Sequence, residues 1–247
     1  MSGSQRAALS RDEFVERLRA EGSQRYHDHH PFHLAMHAGT LNQQQLQAWV
    51  RNRYYYQTRI PIKDALILAK SDDPAFRRRW IRRIHDHDGE QAGEGGLELW
   101  LRLASGVGLD PAEVASLQGV LPGVRFACDA YVQLVRERSL LEAVASSLTE
   151  FFAPDLMSRR ILAWEQHYPW VRPELLAYFR ARVTRARTDS AEAIDYVLQH
   201  ALSRHDQELC IAALIAKTEI LWHLLDCVSV AHGPALPSPA QAPASTT

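Results

Sequence analysis

Apolar residues recur at helical spacing through almost the whole chain, and nowhere is a two-residue alternation sustained between hairpin turns. Ser10-Arg-Asp-Glu13 has the form of a capping box. Phe14 and Leu18 lie one turn apart behind it, and Gly22 is placed to stop the helix. Asn42 is placed to cap a long segment through Trp49, Tyr56 and Ile67, with a kink expected at Pro61. Asp73-Pro74 opens a basic helix that runs to about Asp88. A glycine-rich turn (Gly89, Gly93, Gly95, Gly96) then leads into a helix carrying Leu97, Trp100, Leu101 and Leu103. Asp110-Pro111 opens a short helix, since proline suits the first helical position. Further helical patterns cover about 123–138, 139–152, 155–167, 173–201 and 204–232. The expectation is an all-α protein with one helical domain over residues 10–232, preceded by a flexible stretch, 1–9. Residues 233–247, with four prolines among alanines and small polar residues, are expected to form a disordered tail or linker.

Composition narrows the function classes. Of the 247 residues 46% are hydrophobic, enough for a sizeable core, and a net charge of -1 with a pI near 6.9 argues against a general nucleic-acid binder. Lysine occurs only at Lys63, Lys70 and Lys217; arginine supplies the rest of the 28 basic residues. Arginine grips carboxylates bidentately and keeps its charge. Cys128, Cys210 and Cys227 have no C-x-x-C spacing, which disfavours a zinc ribbon, a thioredoxin-type motif and a disulfide scaffold. No secretory signal is visible at the N-terminus, and the longest apolar stretch, Leu209 to Ala216, is too short to span a bilayer. A soluble cytoplasmic protein is expected, with no nucleic-acid or membrane partner.

Several clusters carry candidate chemistry. His27, His29, His30, His33 and His37 fall within eleven residues. Such a cluster is a metal site, an acid–base site or a histidine-rich surface. Glu-x-x-His and His-Glu-x-x-His are both absent, which weakens the metal reading, and Pro31 suggests a helix start that separates His29 from His33. His87 shares a helical face with Arg83, either as a solvated last turn or as part of a site. Arg77 to Arg83 holds five arginines around Trp80 and Ile81; these must point several ways, mostly to solvent, with one or two turned inward. Lys217 interrupts an apolar helix and either snorkels to the surface or meets an anionic partner, such as Glu219, another helix or a ligand. At least one of Tyr54, Tyr55 and Tyr56 must be buried with a partner for its hydroxyl. Tyr178 and Arg182 are one turn apart, a surface pair or a site pair.

Taken in order, Arg25-Tyr-His-Asp-His-His-Pro-Phe-His33, Asn52-Arg-Tyr-Tyr-Tyr-Gln57, Ile60-Pro-Ile-Lys-Asp64, Asp86-His-Asp88, Glu94-Gly-Gly96, Leu121-Pro-Gly-Val-Arg-Phe126, Ser146-Ser-Leu-Thr-Glu150 and Gln166-His-Tyr-Pro-Trp170 resemble the pyrroloquinoline-quinone synthase (PqqC) family. The resemblance runs from about residue 10 to residue 232. It implies a compact multi-helix bundle of the haem-oxygenase/thiaminase-like superfamily, working as a homodimer. It also implies the last step of pyrroloquinoline quinone biosynthesis. There, a bicyclic polycarboxylate precursor undergoes ring closure and an eight-electron oxidation, with O2 as acceptor, hydrogen peroxide released, and neither metal nor organic cofactor.

By the same resemblance, His27, His87, Tyr178, Arg182 and Lys217 match catalytic positions. Tyr26, Arg53, Tyr56, Gln57, Arg83, Tyr131, Thr149, Glu150 and Arg160 match substrate-binding or supporting ones. His29, His30, His33 and His37 are expected to build the helix start and the pocket wall. Two positions depart from the family: Met157 stands where a second oxygen-side histidine is common, and Thr218-Glu219 follows the lysine where Leu-Asp is expected. Some relatives continue through a linker into a small carrier protein of the pathway, so the tail is either such a linker or an ordinary terminus. Two other readings stay open: a di-metal oxygenase using the His27–His37 cluster with Glu150, or a non-catalytic binder of a carboxylated ligand. A thiaminase-like hydrolase is disfavoured, because none of the cysteines has an evident base beside it.

Overall fold

Helix starts in the computed structural model, which describes residues 7–233, coincide with the capping signals. Helix α1 (Arg11–Arg25) begins at Ser10, whose hydroxyl accepts from the Glu13 N–H while the Glu13 carboxylate accepts from the Ser10 N–H. Asn42 and Gln45 form the equivalent box at the start of α3 (Gln43–Ala69). Between them, a 3-10 turn (His27–His29) leads to α2 (Pro31–His37), capped by the His30 ring, which accepts from the Phe32 N–H at 3.1 Å. Next come α4 (Pro74–Trp80), α5 (Arg82–Asp88), α6 (Gly95–Gly106), α7 (Pro111–Ala115), α8 (Pro122–Glu137) and α9 (Leu140–Ser146). A second 3-10 turn (Ser147–Phe151) precedes α10 (Ala153–His167), and a third (Pro173–Leu176) precedes α11 (Ala177–His200); α12 (Arg204–His232) ends the set. The described residues contain no strand.

Three expectations need correcting. Gly22 does not end α1. It lies inside the helix where a Cβ would come 2.5 Å from the Phe152 ring, so it is the point at which α1 closes on the segment before α10. The basic helix from Pro74 is two helices, broken at Ile81; on either side of the break Trp80 and Arg83 turn inward, with the guanidinium 3.9 Å from the indole centroid. The pattern over 139–152 is a short helix followed by a 3-10 turn.

Helix α3 is the central member, packed against α5, α6 and α8, while α12 packs on α1, α8 and α9 and α10 lies along α11. Trp49, Trp100, Trp164 and Phe179 meet in the core, with ring centroids 5.4 Å (Trp49–Trp100), 6.1 Å (Trp49–Trp164) and 5.6 Å (Trp164–Phe179) apart. Each such side chain contributes roughly 1.5–3 kcal/mol by burial. Trp100 of this cluster lines the cavity described next, and Arg160 on the cavity wall stacks over Trp49 and Phe179. Leu9, at the edge of the stretch expected to be flexible, exchanges two hydrogen bonds with Gln207 of α12; residues 1–6, and the tail beyond Gly233, lie outside the described residues.

Candidate active site

One cavity collects most of the residues singled out in the sequence. Helical spacing explains how. Arg53, Tyr56, Gln57 and Ile60 form one stripe of α3, Ala153, Met157 and Arg160 one stripe of α10, and Tyr178 and Arg182 one turn of α11. Tyr26, His87, Trp100, Thr149 and Glu150 complete the lining. The glycine turn brings His87 and Tyr178 together around Gly96, where an added Cβ would lie 3.3 Å from the Tyr178 ring and 3.6 Å from the His87 Cα. Gly89 and Gly95 have φ of +82° and +85°, and a Cβ on Gly95 would fall 2.4 Å from the Gly89 nitrogen, so only glycine lets the chain double back there. His27, Arg83, Tyr131 and Lys217 stand behind the lining rather than on it.

The cations fall into two kinds. Arg182 donates to Glu150 at 2.6 Å and lies 3.3 Å from Asp189, while Arg83 donates to the Asp189 carbonyl and has its Nε 3.8 Å from the Asp189 carboxylate. These two arginines and two carboxylates form a neutral set. Burial pushes the Glu150 pKa up, but Arg182 and Arg83 outweigh it and leave the carboxyl below its usual range. Burial works against the charge of Arg182 too, and is overcome chiefly by Glu150. Arg53 and Arg160, by contrast, have no carboxylate partner among the described residues, although both are buried. The Arg53 guanidinium lies 3.9 Å from the Tyr56 ring centroid with its Nη1 unpartnered. Arg160 lies over Trp49 and Phe179, reaches the His33 ring at 3.2 Å, and leaves its Nε unpartnered. Burial first, then Arg53, pulls its pKa down to about 9, still charged at neutral pH.

His87 is set up as a neutral base. Its Nδ1 faces the Arg83 carbonyl at 3.0 Å, and a carbonyl only accepts, so Nδ1 carries the proton and Nε2 keeps its lone pair. Burial and then Arg182 hold its pKa near 4. His87 is therefore not a solvated helix end, and Tyr178 and Arg182 are not a surface pair: all are buried. The Tyr178 hydroxyl donates to Gln57 at 2.7 Å. Lys217 neither snorkels nor meets Glu219, which is exposed. Its Nζ is 2.9 Å from the Tyr56 hydroxyl and 3.4 Å from the Tyr131 ring centroid, and burial followed by Arg53 holds its pKa well below the ordinary lysine value. All three tyrosines Tyr54, Tyr55 and Tyr56 are buried.

The histidine run disperses. His29 is exposed, His30 bonds Asp226 at 3.0 Å, His33 bonds Arg160, and none of the five lines the cavity. His27 is buried against Tyr26 and His33 with its Nδ1 unpartnered. Among the described residues no group of three or more His, Cys, Asp or Glu is placed to hold a metal ion. Arg77, Arg78, Arg79 and Arg82 are exposed and Arg83 alone turns inward. Ile60, Trp100 and Ala153 were missed as lining residues, and Asp189 as the bridge between Arg83 and Arg182. Helical spacing from Gln57, Arg53 and Met157 points to Ile60 and Ala153; nothing local marks Asp189. The three cysteines are free, and no helix of the described residues is long and apolar enough to cross a membrane.

Comparison with known proteins shows the family and the fold. Residues 15–227 match the model of the TENA/THI-4/PQQC family. The chain is 51% identical to a pyrroloquinoline-quinone synthase of Rhizobium rhizogenes, over 91% of each chain. It is also 51% identical to the one of Xanthomonas campestris pv. campestris, over 92% of this chain and 90% of the relative. Among solved structures it resembles a domain of unknown function with a haem-oxygenase-like fold from Shewanella denitrificans, with a TM-score of 0.71 at 14% identity over 92% of this chain and 97% of that one. A TenA homologue from Pseudomonas syringae pv. tomato gives 0.70 at 12% identity, over 92% and 99%. The fold is thus the haem-oxygenase-like bundle.

Proposed function

The chain belongs to the TENA/THI-4/PQQC family, and from that premise we propose that it is a pyrroloquinoline-quinone synthase. In this reading it closes a ring in a bicyclic polycarboxylate precursor and carries out an eight-electron oxidation of it. O2 is the acceptor, hydrogen peroxide is released, and no metal or organic cofactor takes part. One observation carries the reading beyond homology: Arg53 and Arg160 are buried beside the cavity with no carboxylate among the described residues to neutralise them. Unpaired buried charge is costly, and a carboxylated ligand supplies the missing partner.

The remaining groups take roles that suit their surroundings. Neutral His87 accepts protons at Nε2 as C–H and N–H bonds of the substrate are lost. Tyr178, Arg182 and His87 surround the oxygen from the cavity wall, where the Arg182 guanidinium stabilises superoxide and peroxide anions, and Lys217 stands one layer behind them. Lys217 acts through the Tyr56 hydroxyl and the Tyr131 ring, and His27 through Tyr26. Gln57, Thr149 and Glu150 frame the substrate, and Arg83 steadies Arg182 through Asp189. The protein works as a homodimer, and sedimentation equilibrium at twice the chain mass is the expected result.

Chelator-treated protein mixed with the precursor should consume O2 and form peroxide and the quinone. Uptake that appears only after metal is restored would replace this reading with the di-metal one. Tight binding without uptake would make the protein a ligand binder.

A further inference from the structure

We propose that His33 is a positioning residue for Arg160: a neutral hydrogen-bond acceptor that holds the guanidinium toward the cavity without cancelling its charge. The inference rests on the proposed function, which makes Arg160 a carboxylate-binding group.

A buried guanidinium can be held in two ways, and this site uses both. Arg182 is held by Glu150 and Asp189, which orient it and neutralise it together. Arg160 is held by an imidazole. Its Nη2 reaches His33 Nε2 at 3.2 Å, its Nη1 faces only the Met157 sulfur at 4.0 Å, and its Nε has no partner. The face of the guanidinium is fixed as well, 4.9 Å from the Trp49 centroid and 5.5 Å from that of Phe179. One edge is therefore anchored, the plane is stacked, and the fork keeps donors for a carboxylate.

The tautomer of His33 makes the arrangement directional. Its Nδ1 lies 2.9 Å from the His27 carbonyl oxygen, which only accepts, so the proton sits on Nδ1 and the lone pair of Nε2 meets the arginine. An imidazolium would set N–H against N–H. Burial first, then Arg160, His27, His37 and Arg53, holds the ring neutral. The scaffold fixes its place. His30 caps α2 and is itself tied to Asp226, Pro31 takes the first helical position, and α2 packs on α10 with His33 facing Arg160. At 1% exposure His33 does not touch the cavity, so its effect runs through Arg160.

The test exploits the near-identical size of glutamine and glutamate. His33→Gln supplies a neutral acceptor; His33→Glu supplies an anion that forms with Arg160 the pair that Glu150 forms with Arg182. Binding of pyridine-2,4-dicarboxylate is read by calorimetry and by quenching of tryptophan fluorescence, Trp100 being on the cavity wall. His33→Gln should bind within about threefold of the wild type, and His33→Glu at least about tenfold more weakly, the size expected for losing one charge-assisted hydrogen bond. With the precursor, the glutamate variant should raise KM far more than it lowers kcat. A purely structural role predicts the same loss for both variants, and that result overturns the proposal, as does no loss for either. Should the glutamate variant fail to fold, His33→Leu decides: weakening of about tenfold relative to His33→Gln supports the acceptor role, and equality removes it. If the wild type binds no dicarboxylate, the carboxylate-binding reading of the cavity falls, and the role of His33 falls with it.

Discussion

Replacing Arg160 with methionine should abolish binding of the carboxylated substrate and yet leave the fold as stable as before, or more so. A buried ion carries an effective desolvation penalty of several kcal/mol. Against it Arg160 sets one hydrogen bond to neutral His33, worth about 1.5–3 kcal/mol, and stacking over Trp49, worth roughly 0.5–2 kcal/mol. The terms nearly cancel, and methionine keeps most of the stem's packing. A net change between zero and about 1 kcal/mol of stabilisation is expected. For a chain of this size that is an increase in Tm of roughly 0–4 °C. Asp189→Asn is the contrast. It removes a carboxylate shared by Arg83 and Arg182, and breaking a buried pair costs about 3–5 kcal/mol, so Tm should fall by roughly 6 °C or more. Calorimetric melts of both variants at pH 7.5, with and without pyridine-2,4-dicarboxylate, make the comparison. The ligand should raise the Tm of the wild type and not that of Arg160→Met. If Arg160→Met melts as early as Asp189→Asn, Arg160 is integral to the fold rather than held ready for a ligand, and the reasoning is refuted.

Stability should fall on acidification well above the carboxylate range. His27, His33 and His87 are buried with depressed pKa values, so between the unfolded value near 6.5 and the folded one, about 4 for His87, the unfolded chain binds more protons. Each contributes up to about 1.4 kcal/mol of lost stability per pH unit as pH falls through that window. A Tm that stays flat from pH 7 to pH 5 would contradict this. His87→Asn and Lys217→Ala should impair oxidation more than precursor binding, as read by single-turnover spectra; a pure loss of affinity would count against their placement. Met157→His introduces, beside Arg160, the histidine that the family resemblance leads one to expect there, and should change the oxygen-dependent phase while leaving anaerobic affinity for the precursor within about twofold. An unchanged oxygen phase would show that the position is indifferent.

Much of the bundle was readable because its signals are local. Ser10, Asn42, Asp73 and Asp110 each cap the helix they announce, and the stripe Arg53, Tyr56, Gln57 follows from helical spacing alone. What escaped depended on contacts distant in sequence. Gly22 resembles a helix stop until Phe152 is seen against it. The partners that sort the arginines into neutralised and unneutralised ones come from afar: Asp189 lies over a hundred residues from Arg83, and His33 comes from a different helix than Arg160. The family resemblance located the cations, but only the fold shows that Arg83 and Arg182 are already paired while Arg53 and Arg160 are not. The histidine run was the most conspicuous feature of the sequence, and its members separate to serve a helix cap, an arginine and the surface.

The central claim is that the two unneutralised arginines bind a polycarboxylate that this cavity then oxidises with O2. Anaerobic addition of the precursor to chelator-treated protein, followed by a pulse of O2 and monitored by absorbance, tests it most directly. The account predicts a binding spectrum before oxygen, absent in an Arg53→Gln, Arg160→Met double variant, and then O2-dependent growth of the quinone spectrum with peroxide. Anaerobic binding that survives in the double variant, or a bound precursor that O2 leaves unchanged, would contradict it.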